Sequence, residues 1–590
     1  MTTTDFAASG ASFLWDEPGQ HRLMAPELFS EEQQEIARAA KKFSQTEILP
    51  NIARIEAKTS GLVPDLLRKA GELGLLMVDI PSEYGGLGLE KTTSMLIAER
   101  FSVVGSFAVS LGAHTGIGTM PILYFGTHEQ KERYLPDLAT GKKLAAYALT
   151  ESSSGSDALA AKTRAELTSD GDYVLNGTKQ FITNAGFADV FTVFAQVGGD
   201  KFSAFVVDRS LPGVGVGPEE HKLGIRGSST CAMTFEDVKV PKENLLGDVG
   251  KGHRIAFNIL NVGRIKLGLG TIGAAKRALE VAARYSKERQ QFGKPIGAFG
   301  LVGAKLAEMA VGIFVGETMG YRTTGLIDDL VASGSVDHVT AIEEFAVEAS
   351  IIKVYGSEVL DRAADECVQI HGGYGYIEEY EAERLLRDSR INRIFEGTNE
   401  INRLIVPATI LKRAMKGQLP LIDHAGRIRA ALEKGDVGVM GDGELAVEAQ
   451  VAGFCKWITV YVLSVAAETY HVNIAEEQEI LGEISDLISH VYALDSAVGR
   501  VRQIFDGASP LRKAIAQDLL TAFAPPAYSY CVHSARHILM DICTPDTLPK
   551  HLEAIGKLRI DWPSKVIAAK RRLAKAVLEA DGYPLDAIPT

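Results

Sequence analysis

Tyr173-Val-Leu-Asn-Gly-Thr-Lys-Gln-Phe-Ile182 is the stretch that decides the fold class. Its β-branched and aromatic residues read as strand in a chain that is otherwise helical in pattern. Val190–Val197 and Phe202–Val207 repeat the pattern, with Gly, Asp and Asn as punctuation, so about 145–249 is expected to be an antiparallel β region. Asp170-Gly171 and Asn176-Gly177 are expected to be tight turns. Upstream, from about Pro26 to Lys143, the period becomes helical. Glu31–Ile48 carries Ile36, Ala40 and Phe43 behind a Ser30/Gln33 capping box, and Pro64–Leu75 and Thr92–Ala113 read as further helices around the Gly-rich turn Pro81–Gly88. Downstream, Arg264–Arg289 and His338–Val368 are long helical stretches in a region that runs to about Met415. A last helical region, about Gln418 to Thr590, opens with the loop Gly435 to Gly443. The expected class is mainly α with a central β domain, in units 26–145, 146–252, 253–417 and 418–590. Helix, strand and helix in blocks exclude a doubly wound α/β sheet, which would alternate them throughout.

The 590 residues, 46% hydrophobic, suffice for several cores. A net charge of −13 without clustered Lys and Arg argues against nucleic-acid binding. Five cysteines without C-x-x-C pairing read as free thiols in a reducing compartment, and no metal site is expected. Residues 1–19 look polar and loop-like, without the order of a secretory signal or the arginines of a transit peptide. The most apolar run, Trp457–Ala467, is shorter than the roughly 20 residues a bilayer requires. A cytoplasmic protein is expected, with membrane contact at most peripheral, because the 435–443 loop lacks a basic amphipathic segment.

Arg393-Ile-Phe-Glu-Gly-Thr-Asn399 sets one carboxylate between an apolar flank and a Gly-Thr turn. A ligand covering Glu396 would strip its water, raise its pKa and make it a competent general base. Upstream, Gln369-Ile-His-Gly-Gly373 offers two successive residues without Cβ for close approach to a flat ligand. Tyr147-Ala-Leu-Thr-Glu-Ser-Ser-Ser-Gly-Ser-Asp157 supplies hydroxyls and main-chain N–H groups, and Phe181-Ile-Thr-Asn184 supplies a flat side chain. Together these segments resemble the acyl-CoA dehydrogenase family, and the tail after Glu444 is similar to the extension of its very-long-chain branch. The likeness is close from about Leu28 to Gln503 and weak beyond.

The resemblance implies the acyl-CoA dehydrogenase fold: a helical domain, a small antiparallel β domain and a helical bundle, here followed by a C-terminal helical domain. It implies FAD as cofactor. Tyr147, Leu149, Thr150, Gly155 and Ser156, with Phe181, Ile182 and Thr183, would wrap the flavin ring. Arg289, Phe292 and Phe299 would reach the nucleotide of FAD bound mainly to a second subunit, where a planar guanidinium suits phosphate. Gln369, Gly372 and Gly373 would close over FAD from the partner chain, and Thr398 and Glu400 would follow the ring inward. Ser156, Asn261, Arg264, Glu396 and Gly397 would contact the acyl-CoA substrate. From the residues alone, Asn261 and Arg264 could equally be a solvated helix face.

In two branches of the family the base comes from the helix of Asn261 to Arg264, whereas Gly263 with Glu396 here gives the opposite assignment. The implied reaction is α-proton removal by Glu396, with the β-hydrogen leaving as hydride to the flavin and trans-2-enoyl-CoA as product, in fatty acid β-oxidation. An oxyanion hole would include the N–H of Glu396. Leu111–Gly118, rich in small residues, would floor a deep acyl tunnel, with Gly116 as the position to fill. A homodimer and an electron-transferring flavoprotein as acceptor are expected. An acyl-CoA oxidase and a non-catalytic acyl-CoA-binding or assembly scaffold are the alternatives.

Two motifs are set aside. Gly268-Leu-Gly-Thr-Ile-Gly273 satisfies G-x-G-x-x-G but follows no strand, so close helix packing is expected. His371-Gly-Gly-Tyr resembles an esterase oxyanion loop, yet no G-x-S-x-G supplies a nucleophile. His371 is expected to act as a local hydrogen-bonding residue.

Overall fold

In the computed structural model, which describes residues 9–438 and 443–587, the β region is a single sheet. Its strands are β1 (Ala145–Ala148), β2 (Arg164–Leu167), β3 (Tyr173–Thr183), β4 (Val190–Val197), β5 (Lys201–Asp208), β6 (Val214–Glu219), β7 (Thr230–Val240) and β8 (Leu245–Leu246). They are ordered β6-β7-β3-β2-β4-β5-β8, with β1 also paired to β4. The expected antiparallel pairing fails at β4, which both β1 and β2 join in parallel. The chain crosses to the far side of β2 between β3 and β4, so two reversals restore the direction of β2. Ala145–Ala148 face Val190–Val193, and Arg164–Ala165 face Gln196–Val197. β1 and β2 therefore lie end to end along β4, and 149–163 is an excursion between them.

Asp170-Gly171 is the β2–β3 turn, with Gly171 at φ +88°. Asn176-Gly177 is not a turn. It is a bulge inside β3, where Asn176 exchanges hydrogen bonds with Asp237 at 3.0 and 2.9 Å. A Cβ on Gly177 would stand 2.7 Å from the Cα of Thr163, so close backbone approach explains this glycine.

The capping box at Ser30 and Gln33 is present, at the head of Glu31–Phe43. The single helix expected over Thr92–Ala113 breaks into Lys91–Phe101 and Gly105–Gly112. The second bundle is built on Gly252–Glu288, Gly300–Ala332 and Ala346–His371. Gly268 and Gly273 lie inside the first of these. A Cβ on Gly268 would meet Ile352 Cγ2 at 2.3 Å, and one on Gly273 would meet the Glu99 carbonyl at 2.1 Å. The glycines thus let helices touch through their backbones, as expected for packing.

Two expectations are corrected. Residues 9–19 are embedded: Phe13 and Leu14 join the core shared by the bundle and the C-terminal helices, and Phe13 packs on Tyr492 at 4.7 Å. Residues 1–8 of that expected loop lie outside the described residues. The apolar run around Trp457 belongs to the helix Ala446–Tyr470, and Ala446–Glu476 is long and apolar enough to cross a membrane by length and composition. Here 72% of its most apolar window is buried, against Gln478–Gly507 and Pro510–Ile542. Of the 435–443 loop, residues 439–442 lie outside the described residues.

Candidate active site

The helix Glu381–Ser389 runs through a 3₁₀ turn, Arg390–Arg393, into a backbone kink. Glu396 sits at φ +57° and Gly397 at φ +78°, so two successive residues are left-handed. A glycine adopts that conformation freely, whereas a glutamate is held there only by its surroundings. Thr398 Oγ1 caps the next helix, Asn399–Met415, by accepting from Ile401 N at 3.2 Å. Asn402 Nδ2 donates to the carbonyls of Gly397 and Thr398, both at 2.9 Å, and locks the kink from below.

The kink presses the Glu396 carboxylate onto the helix Gly252–Glu288 at Gly263. A Cβ there would stand 2.6 Å from Oε2. Oε2 is out of contact with water and has no hydrogen-bond partner. Burial pushes the carboxyl up to about 7, against the opposing pull of Arg264 and Lys353. Arg264 Nη1 donates to Asn261 Oδ1 at 2.8 Å, and its Nε reaches the Glu396 carbonyl at 3.4 Å. Both Asn261 and Arg264 are buried, which removes the solvated-face alternative. Lys353 Nζ donates to Asn399 Oδ1 at 2.7 Å, and burial pushes its amine down to about 7.

Glu396, Phe395 and Thr183 stand on the wall of a cavity of about 1070 Å³, open mouth included. From Gly263 the cavity follows one face of Gly252–Glu288, past Gly270 to Ala274, or about 16 Å by helical rise. Across it stand Gly112, Gly105 and Ala98, with Leu360 and Leu385 closing a side. A Cβ on Gly112 would meet nothing within 4 Å. Gly116, expected as the position to fill, is not on this wall: a Cβ there would face Lys266 Cδ at 3.4 Å. The local helix is a π-helix over Ala113–Gly118, so wall positions cannot be counted off at 3.6 residues per turn.

Tyr147 is buried close enough to Glu396 to feel its charge. Burial pushes its phenol well up and Glu396 adds to that, while the hydroxyl has no partner. The 149–163 excursion is pinned from beneath by a buried ion pair, Lys179 Nζ to Glu151 Oε1 at 2.7 Å. Lys179 also donates to the Leu149 carbonyl at 3.2 Å, and Gln180 N to that of Thr150 at 2.8 Å. The two segments expected to wrap a flat ring therefore lie side by side. Gly155 and Ser156 are exposed at the tip, Ile182 is buried, and Phe181 is 62% exposed at φ +59°. Thr398 caps its helix and Glu400 is exposed in the first turn.

Arg289, Phe292, Phe299, Gln369, Gly372 and Gly373 gather elsewhere. Arg289 caps the far end of Gly252–Glu288 and lies over the Tyr374 ring at 5.6 Å. Phe292, 92% exposed at φ +52°, meets Phe299 edge-on at 6.0 Å. Arg264, beside Glu396, and Arg289 are about 37 Å apart by helical rise, so the Arg289 cluster stands far from the Glu396 carboxylate in the same chain.

Family models described as Acyl-CoA dehydrogenase, N-terminal, middle and C-terminal domain match residues 30–142, 146–238 and 250–411; a further one, also described as C-terminal domain, matches 455–557. The chain belongs to the acyl-CoA dehydrogenase family. It is 48% identical over 583 residues to a probable acyl-CoA dehydrogenase of Bacillus subtilis (strain 168), covering 97% of this chain and 98% of that one. The crystal structure of an acyl-CoA dehydrogenase complexed with FAD from Bacillus anthracis superposes with a TM-score of 0.95 at 47% identity, covering 98% of this chain and 100% of that one. The human mitochondrial very long-chain specific acyl-CoA dehydrogenase is 37% identical over 551 residues, 87% of this chain and 78% of that one. The expected fold is therefore the observed one, an acyl-CoA dehydrogenase fold with an added C-terminal helical domain. The protein is a flavin-dependent oxidoreductase whose family implies acyl-CoA as substrate.

The residues present fit FAD. The exposed aromatic Phe181 and the orphaned buried hydroxyl of Tyr147 would suit a flat, polar-edged ring. The far end suits a nucleotide: Gly372, at φ +59° and ψ −139°, and Gly373 leave open space where Cβ atoms would stand, beside a cation and exposed aromatic rings.

Several residues of this acyl-CoA dehydrogenase site escaped sequence reasoning, though two carried a signal. Lys353 interrupts the apolar run Ile351-Ile352-Lys353-Val354, and Lys179 falls on the buried face of β3 with Tyr173 and Leu175. A lone cation at a core-facing position marks a paired or functional group. His371 stacks on Tyr285 at 4.0 Å and donates from Nδ1 to the Cys367 carbonyl at 2.7 Å, a local role as expected.

Proposed function

We propose that this acyl-CoA dehydrogenase oxidises long or very long acyl-CoA to trans-2-enoyl-CoA in fatty acid β-oxidation, with Glu396 as the α-proton base. The observation that carries the reading is the unpartnered Glu396 oxygen on the wall of a deep cavity lined by small residues. A carboxylate held near pKa 7 is ionised enough to act at neutral pH and basic enough to take a proton. Arg264 and Asn402 hold the backbone that aims it, and Gly263 leaves room for it beside the substrate's α-carbon. FAD, when bound, supplies the hydride acceptor. Tyr147, buried with an unpartnered hydroxyl, and the exposed ring of Phe181 would border the flavin.

The open space at Gly112 and the run of Gly263, Gly270 and Ala274 support a long acyl chain. The roughly 37 Å of helix between Arg264, beside Glu396, and Arg289 supports a homodimer in which Arg289, Phe292 and Gln369 to Gly373 serve the partner's nucleotide. An electron-transferring flavoprotein is the proposed acceptor. The test is anaerobic titration of the yellow holoenzyme with saturated acyl-CoAs of graded length, following the flavin spectrum. Bleaching should strengthen toward long chains; no bleaching at any length sinks the proposal. Slow recovery on admitting air is expected, whereas fast recovery with peroxide would make the protein an oxidase.

A further inference from the structure

We infer that the buried pair Glu151–Lys179 is a positioning device for the oxidation: it holds the segment after β1 and the end of β3 in the one arrangement that serves a flavin and a thioester. The inference rests on the flavin reading of those two segments.

Glu151 is buried, and its carboxylate gathers four donors. Oε1 accepts from Thr163 N at 3.0 Å, Thr163 Oγ1 at 2.6 Å and Lys179 Nζ at 2.7 Å, and Oε2 accepts from Lys162 N at 2.6 Å. One side chain near the start of the 149–163 excursion therefore fastens two N–H groups at its far end. Between them, Glu151 N donates to the Ser154 carbonyl at 2.9 Å and Ser154 N donates back to that of Glu151 at 3.2 Å, so the tip is folded on itself.

Lys179, fully buried, works from the strand side. Its ammonium holds Glu151 and the Leu149 carbonyl, the residues on either side of Thr150, and Gln180 N takes the carbonyl of Thr150 itself. Three successive residues of the excursion are thus tied to two successive residues of β3. The tie comes where β3 loses its register with β7, between Lys179 and Ile182. Phe181 stands inside this irregularity with its left-handed backbone and exposed ring. Two residues on, Thr183 is on the cavity wall with Glu396. The pair lies at the root of both segments.

Stability alone does not call for such a pair. An apolar couple of similar volume is often neutral or stabilising in its place, because burying two charges costs about what their attraction returns. Four donors converging on one carboxylate fix a geometry instead. Geometry is what the reaction is sensitive to, since a misplacement of about 1 Å costs on the order of 10²-fold in rate. Neither Glu151 nor Lys179 is on the cavity wall, so both act through Thr150, Phe181 and Thr183 and are positioning residues.

The test compares holoenzyme of wild type, Lys179→Met and the double variant Glu151→Gln/Lys179→Met. The readouts are the FAD dissociation constant, the visible flavin spectrum, and kcat and KM with a saturated long-chain acyl-CoA. Both variants should bind FAD about tenfold more weakly, the effect of losing a charge-assisted hydrogen bond. Their flavin bands should shift, and kcat should fall by about 10²-fold while KM moves little. Lys179→Met strands a buried charge, whereas the double variant does not and should recover melting temperature without recovering kcat. Asp495→Asn, in a separate buried ion group with Arg322 and Lys456, is the stability control: it lowers the melting temperature and leaves the flavin readouts alone. If Lys179→Met fails to fold, the double variant decides. FAD affinity, spectrum and kcat as in wild type, or a change in KM alone, overturn the inference. If wild type binds FAD but is bleached by no acyl-CoA, the proposed function fails, and FAD affinity and spectrum still decide the inference.

Discussion

Glu396 and Glu99 are both glutamates withdrawn from bulk water, yet the protein drives them in opposite directions. Burial lifts Glu396 to about 7 because Arg264 and Lys353 only partly offset it, and Oε2 is left without a partner. Burial also pushes Glu99 up, but Lys276 and Arg100 more than offset it and hold it below the usual carboxylate range. One acid is poised to exchange a proton, and the other is fixed as a charge. The difference lies in the partners, since the side chain is the same. Where the protein needs chemistry it tolerates an unsatisfied oxygen; where helices meet it sets carboxylates directly against cations.

The largest expected effect tests the first half of that contrast. Glu396→Gln should retain FAD and lose roughly 10²–10⁴-fold in flavin bleaching by acyl-CoA. The same substitution should stabilise the holoenzyme at neutral pH. A carboxyl raised from 4.5 to about 7 contributes stability below pH 4.5 that is lost as pH rises through 7. The melting difference between variant and wild type should thus be small near pH 4.5 and grow, to no more than about 3 kcal/mol, by pH 8. A variant that bleaches at the wild-type rate would remove Glu396 from its proposed role.

Lys276→Met tests the second half. It leaves Glu99, Glu317 and Asp586 with one cation fewer and should cost on the order of 3–5 kcal/mol, read as a lower melting temperature. An unchanged melting temperature would mean that this helix junction is held by packing alone.

Gly112→Leu fills space on the cavity wall. The kcat/KM ratio should move toward shorter acyl groups by about 10–200-fold. Gly116→Leu, off that wall but pressing on Lys266, which is on it, should shift the preference less.

The smallest effect sharpens the comparison most. Lys353→Met removes a positive neighbour from Glu396, so the pH midpoint of single-turnover flavin reduction should rise by about one unit. A fixed midpoint would assign Lys353 only to holding Asn399.

What could be read from sequence divides along the same line. Helix, strand and helix in blocks follow from local periodicity, and the Arg393–Asn399 turn carries its apolar flank, carboxylate and glycine side by side in the chain. Lys353 and Asn402 act across helices, and nothing adjacent to them announces the partner; Gly112 lies in the Leu111–Gly118 stretch expected to floor the cavity, but which of its glycines faces it depends on the π-helical turn. Asn176-Gly177 has turn chemistry, but its glycine answers to Thr163, which only the folded sheet brings near. The parallel pairing at β4 was hidden for the same reason, since strand direction depends on which side of β2 the chain returns. Phe13 and Leu14 look like part of a loose leader until the groove beside Tyr492 is in view.

The two collinear strands that share β4 give the 149–163 segment both of its stems from one rigid rail. Lengthening its exposed tip, beyond the Glu151–Lys179 pair, would cost little beyond the slow logarithmic growth of loop closure, and the sheet register would not notice. The fold can therefore retailor that edge while every strand stays in place.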